Sequence, residues 1–250
     1  RSKRRKVMSK VIELLKDDAN YYGELGRKYL SNSDIGTLLS NPKDFGKHRE
    51  DNINFAKGRL FHQSILEPEK AKDFPHVDTH VRTTKVYKQY IEDNNVPFAM
   101  LTKEHEEIQG SVEIMIGNWD FFNMIRKIDA SYEQPAVKEI HGIMWKGKAD
   151  IVTDKVVYDL KTTNNIQDFK WSARKYNYDS QAYIYQTLFG KPMEFLVIDK
   201  KTGLLGHFKT SEEFLSRGEE KVKNAIDVYE KFYGDSKTED IEDYYMKDVL

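Results

Sequence analysis

Three runs of β-type sequence follow one another between residues 136 and 161, separated only by two-residue turn signals. Strands this close must pair antiparallel, because a parallel partner needs a crossover of about a dozen residues or more. The runs cover 136–145, 148–153 and 156–161, with turns expected at Lys146-Gly147 and Asp154-Lys155. Whatever else the chain builds has to be arranged around this meander. Residues 168–189 then read as one long helix that stops at Gly190, ahead of Pro192. Runs 193–199 and 204–209 form a hairpin around Lys201-Thr202-Gly203. Ser211 caps a last helix whose apolar stripe is Phe214, Leu215, Val222, Ala225, Ile226 and Tyr229. The second half is therefore βββ–α–ββ–α.

The first half is mostly helical. Helices are expected over 7–16, after Ser31 or Ser33 up to Asn41-Pro42, over 56–66 ahead of Pro68, over 85–94, and over 102–116 with Thr102 as cap. The pattern divides into a basic N-terminal segment, 1–28, one domain over 29–233 (helical part 29–132, core 133–233), and an acidic tail, 234–250. The basic run is Arg1, Lys3, Arg4, Arg5 and Lys6, and the acidic run extends from Asp235 to Asp248. No cysteine is present, which excludes disulfides, thiolate zinc sites and cysteine-bound iron–sulfur clusters, and suits a reducing, cytoplasmic setting. No run approaches the roughly 18 apolar residues of a membrane span. Lys and Arg number 40 against 41 Asp and Glu. A nucleic-acid partner would therefore have to be held by a local patch rather than by a general basic coat.

The hairpin at Asp154-Lys155 carries the chemistry. A two-residue turn there sets Thr153 opposite Val156, Ile151 opposite Tyr158 and Asp150 opposite Asp159. Residues opposed in this way share one face, and Lys161 lies two positions further along it. Two opposed carboxylates repel, and a bound cation reverses the sign of that interaction. Oxygen ligands of this kind suit Mg²⁺ or Mn²⁺, which polarise a phosphate and acidify a bound water. Lys161 would orient the attacking water or stabilise developing charge. The competing reading is a solvated hairpin in which Lys161 neutralises ordinary surface acids. Gln181 and Tyr185, four apart, share a helix face that Arg174 and Tyr178 extend, open to a ligand or packed in the core. His76-Val77-Asp78-Thr79-His80 reads as a polar loop or strand rather than a metal site.

Six motifs occur in one order: Tyr29-Leu30-Ser31-Asn32-Ser33, Gly58-Arg59-Leu60-Phe61-His62, the Leu101-Thr102 helix start, Lys146-Gly147-Lys148-Ala149-Asp150, Tyr158-Asp159-Leu160-Lys161-Thr162-Thr163, and Gln181-Ala182-Tyr183-Ile184-Tyr185. From about residue 30 to 199 the chain resembles the PD-(D/E)XK nucleases, in particular their RecE-like and lambda-exonuclease-like phage branch. The resemblance implies an α/β restriction-endonuclease-like core, a mixed central sheet flanked by helices, with a helical N-terminal part. It implies Asp150, Asp159 and the Leu160 carbonyl as metal ligands and Lys161 as the catalytic lysine. Glu133, preferred over Glu139, would ligate through water, and His62 would lie near a second metal or the scissile phosphate. Gln181, Tyr185, Arg174, Ser31, Ser33 and Lys148 would contact DNA. The implied activity is Mg²⁺- or Mn²⁺-dependent hydrolysis of duplex DNA from a free end. A single-strand-annealing recombinase and a ring-like homo-oligomer are the implied partners, and a host bacterial cytoplasm the setting if the protein is phage-encoded. The alternatives are an endonuclease or single-strand nuclease of the same fold, or a DNA-binding protein without turnover.

Overall fold

The computed structural model describes residues 2–48 and 50–247, with side chains described from Val7 onward. Arg1 and Asp248 of the terminal charge runs lie outside the described residues, as do the side chains of Lys3, Arg4, Arg5 and Lys6. Among the described residues eight α-helices precede the main sheet: α1 (Ser2–Leu14), α2 (Asp18–Tyr22), α3 (Asn32–Ser40), α4 (Ile53–Leu66), α5 (Pro68–Ala71), α6 (Lys85–Asn94), α7 (Thr102–Gly117) and α8 (Trp119–Ile125). The sheet comprises β1 (Ser131–Ile140), β2 (Ile143–Val152), β3 (Val157–Thr163), β4 (Met193–Asp199) and β5 (Leu205–Lys209). Between β3 and β4 run α9 (Phe169–Lys175) and α10 (Tyr178–Phe189), and α11 (Glu212–Phe232) follows β5.

The strands lie in the order β1-β2-β3-β4-β5. Every pair is antiparallel except β3–β4, which α9 and α10 connect as a crossover. β4 is buried at all seven positions, as a strand covered on both faces must be. On one side Trp145, Val157, Phe195 and Val197 pack under α3, α10 and α11 through Ile35, Leu38, Ala182, Val222 and Ile226. On the other, Ile151, Leu160, Leu196 and Ile198 pack under α4, α7 and α8 through Leu60, Phe61, Ile65, Val112, Met115 and Ile125. Each fully buried Leu or Ile here contributes about 1.5–3 kcal/mol relative to exposure. The expected mixed sheet between helical layers is the observed architecture.

Two expected boundaries are corrected. The first hairpin does not turn at Lys146-Gly147. It turns at His141-Gly142, both at positive φ (49° and 85°), the backbone of a tight two-residue turn. Gly147 sits inside β2 because Tyr185 packs there: a Cβ on Gly147 would meet the Tyr185 ring at 2.7 Å. The single helix expected over 168–189 is two helices. Asn177 adopts the left-handed region at φ 58°, which Asn tolerates better than most residues, and breaks the run without interrupting its apolar period. Lys221 of α11 pins this joint, donating to the Arg174 carbonyl (2.9 Å), Asn177 Oδ1 (2.9 Å) and Asp179 Oδ1 (2.8 Å). Smaller departures concern starts and caps. α1 begins at Ser2 rather than residue 7. The cap of α7 is Leu101, whose backbone N–H donates to Glu104 Oε2, while the Thr102 hydroxyl is buried without a partner. His76–Val77 forms a short parallel bridge with Met100–Leu101.

Candidate active site

α4 starts at a well-made cap, with Asn52 Oδ1 accepting from the N–H groups of Asn54 and Phe55. One turn before its end it presents His62. The Nδ1 atom lies 2.9 Å from the Gly58 carbonyl, so this nitrogen carries a proton and Nε2 is directed at Asp150 Oδ2, 3.2 Å away. Burial works against a charged imidazole, but the Asp150 carboxylate outweighs it and raises the His62 pKa to about 9. For Asp150, burial pushes upward. His62, Lys161 and the Leu160 N–H together reverse that and hold it below the ordinary carboxylate range.

The β2–β3 ladder is short: Ile151 pairs with Tyr158 and Val152 with Val157. Thr153 closes the turn, its N–H and hydroxyl both donating to the Val156 carbonyl. Carried one pair further, the same register would set Asp150 opposite Asp159. There the ladder yields to side chains. The Leu160 N–H donates to Asp150 Oδ2 at 2.7 Å. In a strand a residue's N–H and C=O point to the same edge, so the Leu160 carbonyl also faces β2.

Asp159 is 3% exposed. Gln181 of α10 donates to its Oδ1 at 2.6 Å, and the Lys161 ammonium lies 2.5 Å from Oδ2 without being aligned as a hydrogen-bond donor. Burial raises the Asp159 pKa, with the Asp150 charge acting in the same direction, and Lys161 only partly offsets this. Burial opposes charge on Lys161 too, yet Asp159, Tyr178 and Asp150 together raise its pKa, so it stays an ammonium. The face of the Tyr178 ring supports it, centroid 4.6 Å away.

On the other side of β2, the β1 register (Tyr132 with Ile151, Gln134 with Ala149) sets Glu133 opposite Asp150. Glu133 is held at φ 49°, unusual inside a strand. Burial and the Asp150 charge raise its pKa to about 7. Three acids from three adjacent strands therefore stand in one row. Glu139, the competing candidate, is exposed six positions further along β1.

Several residues expected on DNA are engaged inside the protein instead. Gln181 holds Asp159, and Tyr185, 8% exposed, donates to the Lys148 carbonyl. The Lys148 side chain is 6% exposed and ends on Asp18 at 2.5 Å; Lys146 is buried against Tyr21. Ser31 caps α3, its N–H and hydroxyl both donating to Asp34 Oδ2, with Ser33 Oγ 2.9 Å from Ser31 Oγ. Arg174 lies on α9, across the Asn177 break from Gln181 and Tyr185, and sits over Trp171. Lys170, Arg174 and Lys175 do face solvent. The support that Tyr178 gives Lys161 was not legible in the motif, because it depends on the helix break.

Among the described residues no three Asp, Glu, His or Cys side chains converge as a ready cage. The donor set still fits a hard divalent ion: two buried carboxylates close enough to perturb each other, the Leu160 carbonyl on the same edge, and Asp159 Oδ2 with no aligned donor. Such ions keep several waters and need few protein ligands.

A mixed sheet between helical layers, with Asp near the end of one strand and Asp-x-Lys within the next, is the arrangement of PD-(D/E)XK proteins. The chain belongs to the family described as "PDDEXK-like domain of unknown function (DUF3799)", whose model matches residues 37–239. No curated protein matches the sequence. Among solved structures, a "Putative exonuclease" from Eubacterium rectale is similar at TM-score 0.61 and 16% identity, over 94% of this chain and 95% of that one. That likeness is one of fold. A phage related exonuclease from Haemophilus somnus 129PT (TM-score 0.35, 14% identity, 81% and 94% covered) and an alkaline exonuclease from Laribacter hongkongensis (TM-score 0.34, 10% identity, 80% and 87% covered) are more distant.

Proposed function

We infer that the chain is a metal-dependent deoxyribonuclease that hydrolyses phosphodiester bonds from the ends of duplex DNA, with Mg²⁺ or Mn²⁺ as cofactor. The observation that carries this reading is the meeting of Asp150, Asp159, Lys161 and the Leu160 carbonyl where the β2–β3 ladder opens. Asp150, Asp159 and the Leu160 carbonyl would hold the ion, with Glu133 contributing through a water. When bound, the ion supplies charge neutralisation at the phosphate and an acidified water. His62 keeps Asp150 ionised and oriented, and Gln181 orients one oxygen of Asp159. Lys161, fixed between Asp159 and the Tyr178 ring, places a positive charge and its N–H donors beside the reacting phosphate, where they stabilise developing negative charge. Lys170, Arg174 and Lys175 are the solvent-facing cations proposed to draw the DNA backbone in.

The preference for ends is supported by the order of the six motifs. The same motifs support a role in phage recombination beside a single-strand-annealing recombinase, and a ring of identical subunits around DNA. The test is a plasmid presented linear and covalently closed, with Mg²⁺, Mn²⁺, Ca²⁺ or chelator. Loss of the linear form with Mg²⁺ or Mn²⁺ while the circle persists is expected. Equal loss of both forms refutes the end requirement, and no loss of either refutes the nuclease.

A further inference from the structure

Beyond Lys161 the β3 strand stays paired with β4 through Thr162 and Thr163, then turns at Asn164 and Asn165 toward α9. A cavity of about 260 Å³ opens beside this exit, with Thr162, Asn164, Ser172, Tyr176, Tyr178 and Lys200 in its lining. Tyr178 is also the ring against which the Lys161 ammonium rests, so cavity and reacting site share a wall. Two rings of this lining carry cations, and a third ring–cation pair lies outside the lining on α9. Lys161 lies 4.6 Å from the Tyr178 centroid, Lys175 5.6 Å from Tyr176, and Arg174 5.5 Å from Trp171. Tyr176 and Tyr178 flank the left-handed Asn177, their centroids 6.1 Å apart and their planes 38° from each other. Trp171 is 68% and Tyr176 57% exposed, large aromatic surfaces open to solvent.

The polar groups around these rings are equally unspent. The Asn164 carboxamide and the Lys200 ammonium have no side-chain partner among the described residues. Asp168, the one acid of the lining, is taken by the Asn165 amide at 2.7 Å. Burial and then the neighbouring Lys57 disfavour the charge on Lys200, so an anion placed there would favour that ammonium. Exposed rings interleaved with cations, beside a carboxamide without a partner, form the chemistry that takes up unstacked bases together with their phosphates. Bases in a duplex already use both faces for stacking, and a recess of this size admits a base, not a helix.

We propose that this corner is a platform for unpaired nucleotides of a DNA strand: bases stack on Tyr176 and Trp171, a base edge reaches Asn164, and the linking phosphate meets Lys200. The platform rests on the reading of Lys161 as the reacting end of the site, and it makes the substrate there a frayed or single-stranded segment. Stacking is indifferent to base identity, so the platform holds a strand without reading its sequence.

The test is binding, in Ca²⁺, of the full chain to a labelled single-stranded oligonucleotide, to the same strand made fully duplex with closed hairpin ends, and to an abasic version of equal charge. Trp171→Ala and Tyr176→Ala should each weaken single-strand binding about tenfold, the loss of one stacking contact, with duplex affinity nearly unchanged. Tyr176→Phe should restore it, and the abasic strand, which loses both stacking contacts, should bind the wild-type chain more weakly than the natural strand binds either Ala variant. Unchanged single-strand affinity in both Ala variants, or equal losses on duplex and single strand, overturns the platform. Cleavage by the wild-type chain in Mg²⁺ or Mn²⁺ separates the two readings. Cleavage with no stacking selectivity leaves the nuclease standing alone, whereas selective single-strand binding with no cleavage leaves the platform and removes the nuclease.

Discussion

Gly218 is where α11 crosses the start of α10, and Gly218→Ala tests how tightly the active site depends on that crossing. A Cβ at Gly218 would lie 2.1 Å from the Asp179 carbonyl oxygen, 2.5 Å from its carbon and 2.9 Å from the Ser180 nitrogen. All three are backbone atoms of the first turn of α10, so no side-chain rotation relieves the overlap. Ordinary contact begins near 3.4 Å, and the helices must part by about 1.3 Å. Replacing Gly by Ala inside a helix gains roughly 1 kcal/mol of propensity. Overpacking costs about 1–3 kcal/mol. The same displacement stretches the three Lys221 bonds that pin the joint, of which the one to buried Asp179 is charge-assisted and worth about 1.5–3 kcal/mol. The net expectation is a loss of about 2–4 kcal/mol. Because Gln181 sits on that first turn, its 2.6 Å bond to Asp159 should lengthen as well, lowering nuclease turnover in the molecules that stay folded. Urea denaturation followed by circular dichroism gives the stability, with Gly110→Ala in α7 as the control. A Cβ there meets nothing within 4 Å, so that variant should keep the propensity gain. Equal stability of the two variants would refute the crossing argument.

Lys161→Ala should lower turnover about 100-fold or more with DNA affinity nearly kept, since its charge acts on the transition state; single-turnover rates beside binding measurements in Ca²⁺ show whether the loss sits in chemistry. Gln181→Leu leaves a buried oxygen of Asp159 without its donor and should cost the metal-free protein about 1–3 kcal/mol, read from its denaturation midpoint; an unchanged midpoint would mean the bond does not form. Lys146→Met tests linkage. Burial lowers the Lys146 pKa to about 8 from an ordinary 10.5, so between those values the unfolded chain binds the extra proton and stability rises with pH. From pH 7.5 to 9.5 the wild-type chain should gain on the order of 2 kcal/mol relative to the variant, and parallel stability curves would remove Lys146 as the cause.

The part of this site that the sequence carries is local. The Asp154-Lys155 hairpin could be placed because strand alternation runs cleanly on both sides of it, and the observed pairing of Ile151 with Tyr158 follows from that alone. The turn assigned to Lys146-Gly147 failed for the opposite reason. A glycine signals either a bend or a close neighbour, and here the neighbour is Tyr185, 38 positions away in sequence. Asn177 was invisible because the apolar spacing of α9 continues into α10 through the break. The fates of Lys148 and Gln181 were also out of reach. A cation or an amide on a motif looks the same whether it faces solvent or a partner, and theirs are Asp18 and Asp159. What the sequence does not carry is the pairing of polar groups between distant elements, which decides whether a motif residue meets the ligand or supports one that does.

The donation from the Leu160 N–H to the Asp150 carboxylate makes one backbone amide a gauge of the site. Amides in the sheet ladders are shielded by carbonyls and exchange with solvent deuterium only when strands part. The Leu160 amide is shielded by a side chain and exchanges when that side chain rotates. Its protection therefore follows the occupancy of Asp150 rather than the integrity of the sheet. Recorded beside Val157 and Tyr158 on the same strand, it separates a local rearrangement of the carboxylate from opening of the fold, in a resting protein with no substrate turned over.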